Sequence, residues 1–140
     1  MDKLKIYLAS NYYNYLLMES YRVQLEHEGY EVVSTWHIDV DLKLDSTIRK
    51  KNMSKKNKGT LDDHASRDLY EIDACDIFVM DSSCVTETGG RQVEMGYAMG
   101  IGKIIYIIGS AENIFYHLWF VNTCTNFSDM LSKLDEYKSA

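Results

Sequence analysis

The sequence predicts an α/β fold in which a parallel sheet is covered on both faces by helices, and three observations carry that expectation. Two runs, "DIFVMD" and "KIIYIIG", are nearly continuous in apolar β-formers, as strands are when both faces of a sheet are buried. Runs of this kind alternate with segments whose apolar residues recur at helical spacing. The 140 residues are 46% hydrophobic, enough for one compact core and too few for two ordinary domains.

Element by element, "LKIYLAS" is a short strand feeding a helix on which Tyr13, Leu17, Tyr21 and Leu25 recur at i+4. Gly29 ends that helix, and "YEVVSTW" reads as the second strand. A polar stretch follows, a basic flap or loop at about 38–60 that is too long for a simple connection. Leu61, Ala65, Leu69 and Ile72 mark the next helix, "DIFVMD" the third strand, and "TGGRQVEMGYAMGIGK" a glycine turn with its helix. "KIIYIIG" is the fourth strand, "LWFVNT" the fifth, and a helix around Ser128 to Tyr137 closes the chain. Strands alternating with helices imply right-handed crossovers. The expected architecture is a flavodoxin-like, doubly wound parallel sheet of about five strands, in one domain spanning 1–140.

Composition narrows the function classes. No run approaches the roughly 18 apolar residues of a membrane span, and "MDKLKIYLAS" lacks the apolar core and cleavage site of a signal peptide, so the expectation is a cytoplasmic protein with no membrane partner. Cys75, Cys84 and Cys124 form no CxxC pair and have no histidine at ligand spacing, which points to reduced, buried thiols and no metal site. The net charge is −6, yet six of the fifteen basic side chains lie in "RKKNMSKKNK", Arg49 to Lys58. That short run lacks the basic surroundings and aromatic interleaving of a nucleic-acid surface, so no nucleic-acid partner is expected. It reads either as a solvated loop or as a lid over an anionic ligand.

Doubly wound sheets bind ligands beyond the carboxyl ends of their strands, near the switch in strand order. The segments to inspect are therefore Ala9 to Tyr13, which includes Ser10, then Trp36 and His37, Asp81 to Gly90, and Gly109 to Phe115. Glu94 lies about one turn into the helix after strand three, where the helix dipole would keep it ionised as a nucleophile or base. A helix-start carboxylate capped from Thr88 is the alternative reading. Gly89 and Gly90 let a ligand approach the backbone and offer N–H groups to an anion or a sugar hydroxyl, although the spacing is neither GxGxxG nor a P-loop. Tyr7 could reach a carboxylate on the neighbouring strand's helix, or simply pack, as one of eleven tyrosines. Asp68 sits beside an apolar stripe and fits a solvated carboxylate as well as a site group. His37 and His64 are acid/base candidates or plain surface histidines.

Together "KIYLAS", "YEVVSTW", "RDLYEIDACDIFVMD", "GGRQVEMGYAMGIGKIIYIIG" and "ENIF" resemble the nucleoside 2-deoxyribosyltransferase family, in order and spacing from Lys5 to about Phe115. The most specific piece is Glu-x-Gly-Tyr-Ala after the glycine turn. The resemblance implies N-glycosidic bond exchange on 2′-deoxynucleosides: Glu94 attacks C1′, the base departs, and a glycosyl ester is resolved by a second base or by water. It implies that Tyr7 orients Glu94, that Asp68, eight residues before Asp76, meets the leaving base, and that Asn113 reaches a neighbouring subunit's site. A homodimer or higher homo-oligomer follows, with a deoxynucleoside or deoxynucleotide and a free nucleobase as partners and no cofactor.

The chain departs from that pattern at two points. The family's acidic residue before the nucleophile has only Glu87 as its nearest match, and Arg91 is a cation that an uncharged sugar does not need. Arg91 and the basic run suit a 5′-phosphate better. Two alternatives therefore stand beside transfer: a 2′-deoxynucleoside 5′-monophosphate N-glycosidase, and a non-catalytic nucleotide-binding or sequestering protein.

Overall fold

The computed structural model describes residues 2–38, 58–83, 89–110 and 113–140, with side chains from 62 onward in the second stretch. Five strands form one sheet: β1 (Lys5–Ala9), β2 (Glu31–Val32), β3 (Ile77–Asp81), β4 (Ile104–Ile108) and β5 (Val121–Cys124). Their order is β2-β1-β3-β4-β5 and every pairing is parallel, which is the flavodoxin-like arrangement with its switch point between β1 and β3. Parallel neighbours need crossovers: α1 (Tyr15–His27), α2 (Lys58–Ala74) and α3 (Gly90–Gly100) lie between successive strands, the β4–β5 connection carries the 3-10 turn Ile114–His117, and α4 (Phe127–Ser139) follows β5. Helices α1 and α4 meet where Tyr21 stacks on Phe127, ring centroids 4.2 Å apart. Helices α2 and α3 meet where the Tyr97 hydroxyl donates to both carboxylate oxygens of Asp73 at 2.9 Å. The core runs down the central strands, with Ile6 to Ala9 and Ile77 to Met80 all buried.

Four expectations change in detail. Strand β2 was expected across "YEVVSTW" but pairs only at Glu31 and Val32, because side chains take over the ladder beyond it. Ser34 Oγ accepts the Leu8 N–H at 3.1 Å, and Trp36 Nε1 donates to the Leu8 carbonyl at 2.7 Å. Strand β5 begins at Val121 rather than Leu118, since Leu118 to Phe120 lie in an exposed turn. In α1 the buried residues are Met18, Tyr21 and Leu25, while Tyr13 and Leu17 are exposed. The helix starts only at Tyr15, after a 3-10 turn at Tyr12–Asn14 whose Tyr13 N–H is capped by the Asn11 side chain, so Tyr13 is outside its register. In α2 Ile72 is buried and Leu69 partly so, but Ala65 faces solvent. The basic segment Arg49 to Lys58 lies outside the described residues apart from Lys58, as does the flap at 38–60 between Ile38 and that helix.

Candidate functional site

Tyr7 is the third residue of β1 and has no exposed surface. Its ring stacks on Phe78, its register partner in β3, at 5.7 Å and 6°. A phenol buried so deeply needs a partner for its hydroxyl. It donates to Oε2 of Glu94, which α3 brings over the sheet from the strand next door.

The α3 backbone explains how Glu94 arrives there. Gly89 occupies the cap position with φ +71°, a left-handed conformation that glycine takes without a Cβ penalty. Counting from Gly90, Glu94 is the fifth helical residue, beyond the first turn, and the third is Gln92. Helix-start chemistry therefore does not place Glu94; Thr88, its expected cap, lies outside the described residues. Nor is the carboxyl kept ionised by the helix dipole, whose influence fades within the first turn. Burial dominates and pushes the Glu94 carboxyl up to about 8; the Tyr7 hydrogen bond pulls it back, and the Asp68 and Glu71 charges push it further up. Burial, then Glu94, holds Tyr7 well above the usual phenol range.

Among the described residues, helix α2 supplies two carboxylates that oppose ionisation of Glu94. Asp68 is half-buried, with Arg67 Nη2 donating to it at 3.5 Å, and its charge acts on both Tyr7 and Glu94. Glu71, one turn later, is buried and accepts from the Thr35 N–H at 3.0 Å and the Thr35 hydroxyl at 2.6 Å. Glu71 carries no motif of its own in the sequence; its signal is the i,i+3 spacing from Asp68, which puts the two on one helix face.

A second group gathers where β3 ends. Ser10 Oγ and Arg91 Nη1 each donate to the Asp81 main-chain carbonyl at 3.2 Å, and Asn14 Nδ2 donates to Ser10 at 3.1 Å. Arg91 is buried, 8% exposed, so its guanidinium is aimed inward at the strand end. The Asp81 carboxylate accepts from the Tyr21 hydroxyl at 2.7 Å and the Ser83 N–H at 2.9 Å. The turn after β4 fits against this one: Gly109 has φ +98°, and a Cβ there would meet the Ser83 backbone at 3.0 Å. Added Cβ atoms at Gly89 and Gly90 would meet nothing within 4 Å among the described residues.

The remaining predicted positions are scattered. Asn113 caps the 3-10 turn Ile114–His117 of its own chain, accepting from the Phe115 N–H at 2.9 Å. His37 is not a surface group: it is fully buried, with Nδ1 2.5 Å from Glu19 and Nε2 2.7 Å from Ser34. Glu87 and Cys84 lie outside the described residues, while Cys75 and Cys124 are free and buried.

The chain shares its fold with the CMP N-glycosidase BcmB of Clostridium botulinum. The two superpose with a TM-score of 0.54 at 22% identity, over 95% of this chain and 99% of that one. No family model matches the chain, and no curated protein matches its sequence. Within this fold, Tyr7 from β1, Glu94 from α3 and Asp68 from α2 act on one another electrostatically. Chemically, a carboxyl in this setting is oriented by the phenol, neutral at rest, and available as a nucleophile once its proton has left. Among the described residues no helix is long and apolar enough to cross a membrane.

Proposed function

We propose that the protein breaks the N-glycosidic bond of a nucleoside or nucleotide through a covalent intermediate on Glu94. The observation that carries this reading is the hydrogen bond from Tyr7 to Glu94 inside a cluster of carboxylates. The Glu94 carboxyl first gives up its proton, to Asp68 or to solvent. The carboxylate then attacks C1′ as the C1′–N bond opens, and Asp68 protonates the departing base if it has taken up that proton, or accepts a hydrogen bond from it if it has not. Positive charge develops on the sugar ring in an oxocarbenium-like transition state, so negative charge already fixed around C1′ stabilises it without reorganisation. The glycosyl ester then passes the sugar to a second base, freeing Glu94, or to water.

Transfer between bases on 2′-deoxynucleosides is the first form of this reading, following the likeness to the 2-deoxyribosyltransferases. Hydrolysis of a 2′-deoxynucleoside 5′-monophosphate is the second, favoured by the cationic Arg91 beside the glycine turn and by a structural neighbour that is a CMP N-glycosidase. Ser10, Gly89, Gly90 and Arg91 are the proposed sugar and phosphate contacts. A cytoplasmic homo-oligomer is proposed with it. That assembly is supported by the apolar turn beginning at Asn113, where Ile114, Phe115 and Trp119 are exposed, Trp119 to 93%.

Incubation with a deoxynucleoside and a different free base, and separately with deoxynucleoside monophosphates, followed by chromatography, tests the proposal. A new deoxynucleoside marks transfer; free base with deoxyribose 5-phosphate marks hydrolysis. Both products must vanish in Glu94→Gln. Tight binding by calorimetry with the ligand unchanged after long incubation would instead identify a binding protein.

A further inference from the structure

Residues Ser34 to Trp36 form a bracket with two sides. Ser34 and Trp36 both turn to β1, where they hold the N–H and the carbonyl of Leu8, the residue next to Tyr7. Thr35, between them, turns to α2, where its N–H and its hydroxyl both reach Glu71. One short segment therefore ties the strand that carries Tyr7 to the helix that carries Asp68. We propose that Glu71 is a positioning residue of the candidate site: held by Thr35, it fixes the turn of α2 that sets Asp68 within electrostatic reach of Glu94, and it stands as a further fixed carboxylate beside the Tyr7–Glu94 pair.

The chemistry follows from burial. A carboxylate only 9% exposed is tolerated when strong donors hold it, and the Thr35 amide and hydroxyl supply two in one orientation. Pinned in that way, the Glu71 charge cannot swing to solvent and be screened. Among the described residues, the groups that act on Glu94 are Tyr7 from β1 and Asp68 and Glu71 from α2; Tyr7 favours the carboxylate form, and the two acids oppose it. A contact that merely joined Thr35 to α2 would leave the proton affinity of Glu94 where it was. Glu71 instead helps to set the pH at which the nucleophile becomes available. This role deepens the reading of Glu94 as the reacting carboxyl and rests on it.

The test is a ¹³C NMR titration of protein carrying carboxyl-labelled glutamate, with the Glu94 resonance assigned by its loss in Glu94→Gln. In Glu71→Gln the Glu94 midpoint is expected to fall by about half a unit or more. Thr35→Val keeps the Glu71 charge but removes its hydroxyl donor, and is expected to move the midpoint in the same direction. It also keeps the test open should Glu71→Gln fail to fold, since Thr35 is only partly buried. An unchanged Glu94 midpoint in a folded variant overturns the proposal. The titration uses no substrate, so a failed activity assay and a failed positioning role are told apart.

Discussion

Tyr7 and Glu94 lie 87 positions apart in the chain, yet the phenol hydroxyl of one donates to the carboxyl of the other over the central strands. The pair exists because β1 and β3 are parallel neighbours and α3 follows β3 directly. Its chemistry is set by burial more than by the helix that carries it, and the pH dependence of activity should reveal this.

The Glu94 carboxyl is displaced upward to about 8, so the resting protein holds it mostly neutral at pH 7. In the proposed reaction, attack on C1′ requires the carboxylate. For the free enzyme, kcat/KM should therefore rise with pH and level off only above about 8, as read from initial rates over pH 5 to 10. A plateau already reached at pH 6 would contradict the assignment.

Stability should show the same displacement with opposite sign. The folded chain keeps the Glu94 proton up to about 8, whereas the unfolded chain loses it near the ordinary 4.5. Below the lower value both states are protonated and nothing is lost. As the pH rises through this window the unfolded chain ionises first, and stability declines until the folded carboxyl has also titrated. The amide that replaces the carboxyl in the Glu94→Gln variant cannot ionise. The melting temperature of that variant should match wild type near pH 4 and exceed it by about 5 °C or more at pH 9, since each unit of displacement corresponds to about 1.4 kcal/mol.

Tyr7→Phe should leave the fold intact, because the ring still stacks on Phe78. It removes the hydrogen bond that holds the Glu94 pKa down. The alkaline shift in the rate profile should grow, and kcat at pH 7 should fall by ~10–100-fold, while KM changes less.

Trp36→Phe should weaken the edge of the sheet. The indole closes the ladder that β2 leaves open, donating to the Leu8 carbonyl from a 5% exposed position. Losing that donor and part of the ring volume should cost about 2–3 kcal/mol in urea unfolding. Ser34→Ala, which removes the companion bond to the Leu8 N–H, should cost less, about 1–2 kcal/mol.

The sheet was readable from sequence because its central strands are uninterrupted apolar runs, and burial on both faces leaves no alternative for "DIFVMD" or "KIIYIIG". Its edges were not. The ends of "YEVVSTW" look like strand by composition, but Ser34 and Trp36 bond through their side chains, which no periodicity records. At the site, Tyr7, Asp68 and Glu94 came from a family likeness, and their spacing alone did not lift them above packing and surface roles. Glu71 is not legible for a related reason: it is a carboxylate whose partner, Thr35, lies far away in sequence. The ionisation of Glu94 is not legible either, because helix position is visible in a sequence and desolvation is not.

Rapid acid quench of the protein during turnover, followed by mass analysis of its peptides, tests the covalent role of Glu94 most directly. A glycosyl adduct on the peptide containing Glu94, absent from Glu94→Gln together with turnover, is the expected result. Turnover that survives in Glu94→Gln, or an adduct on any other residue, would contradict it.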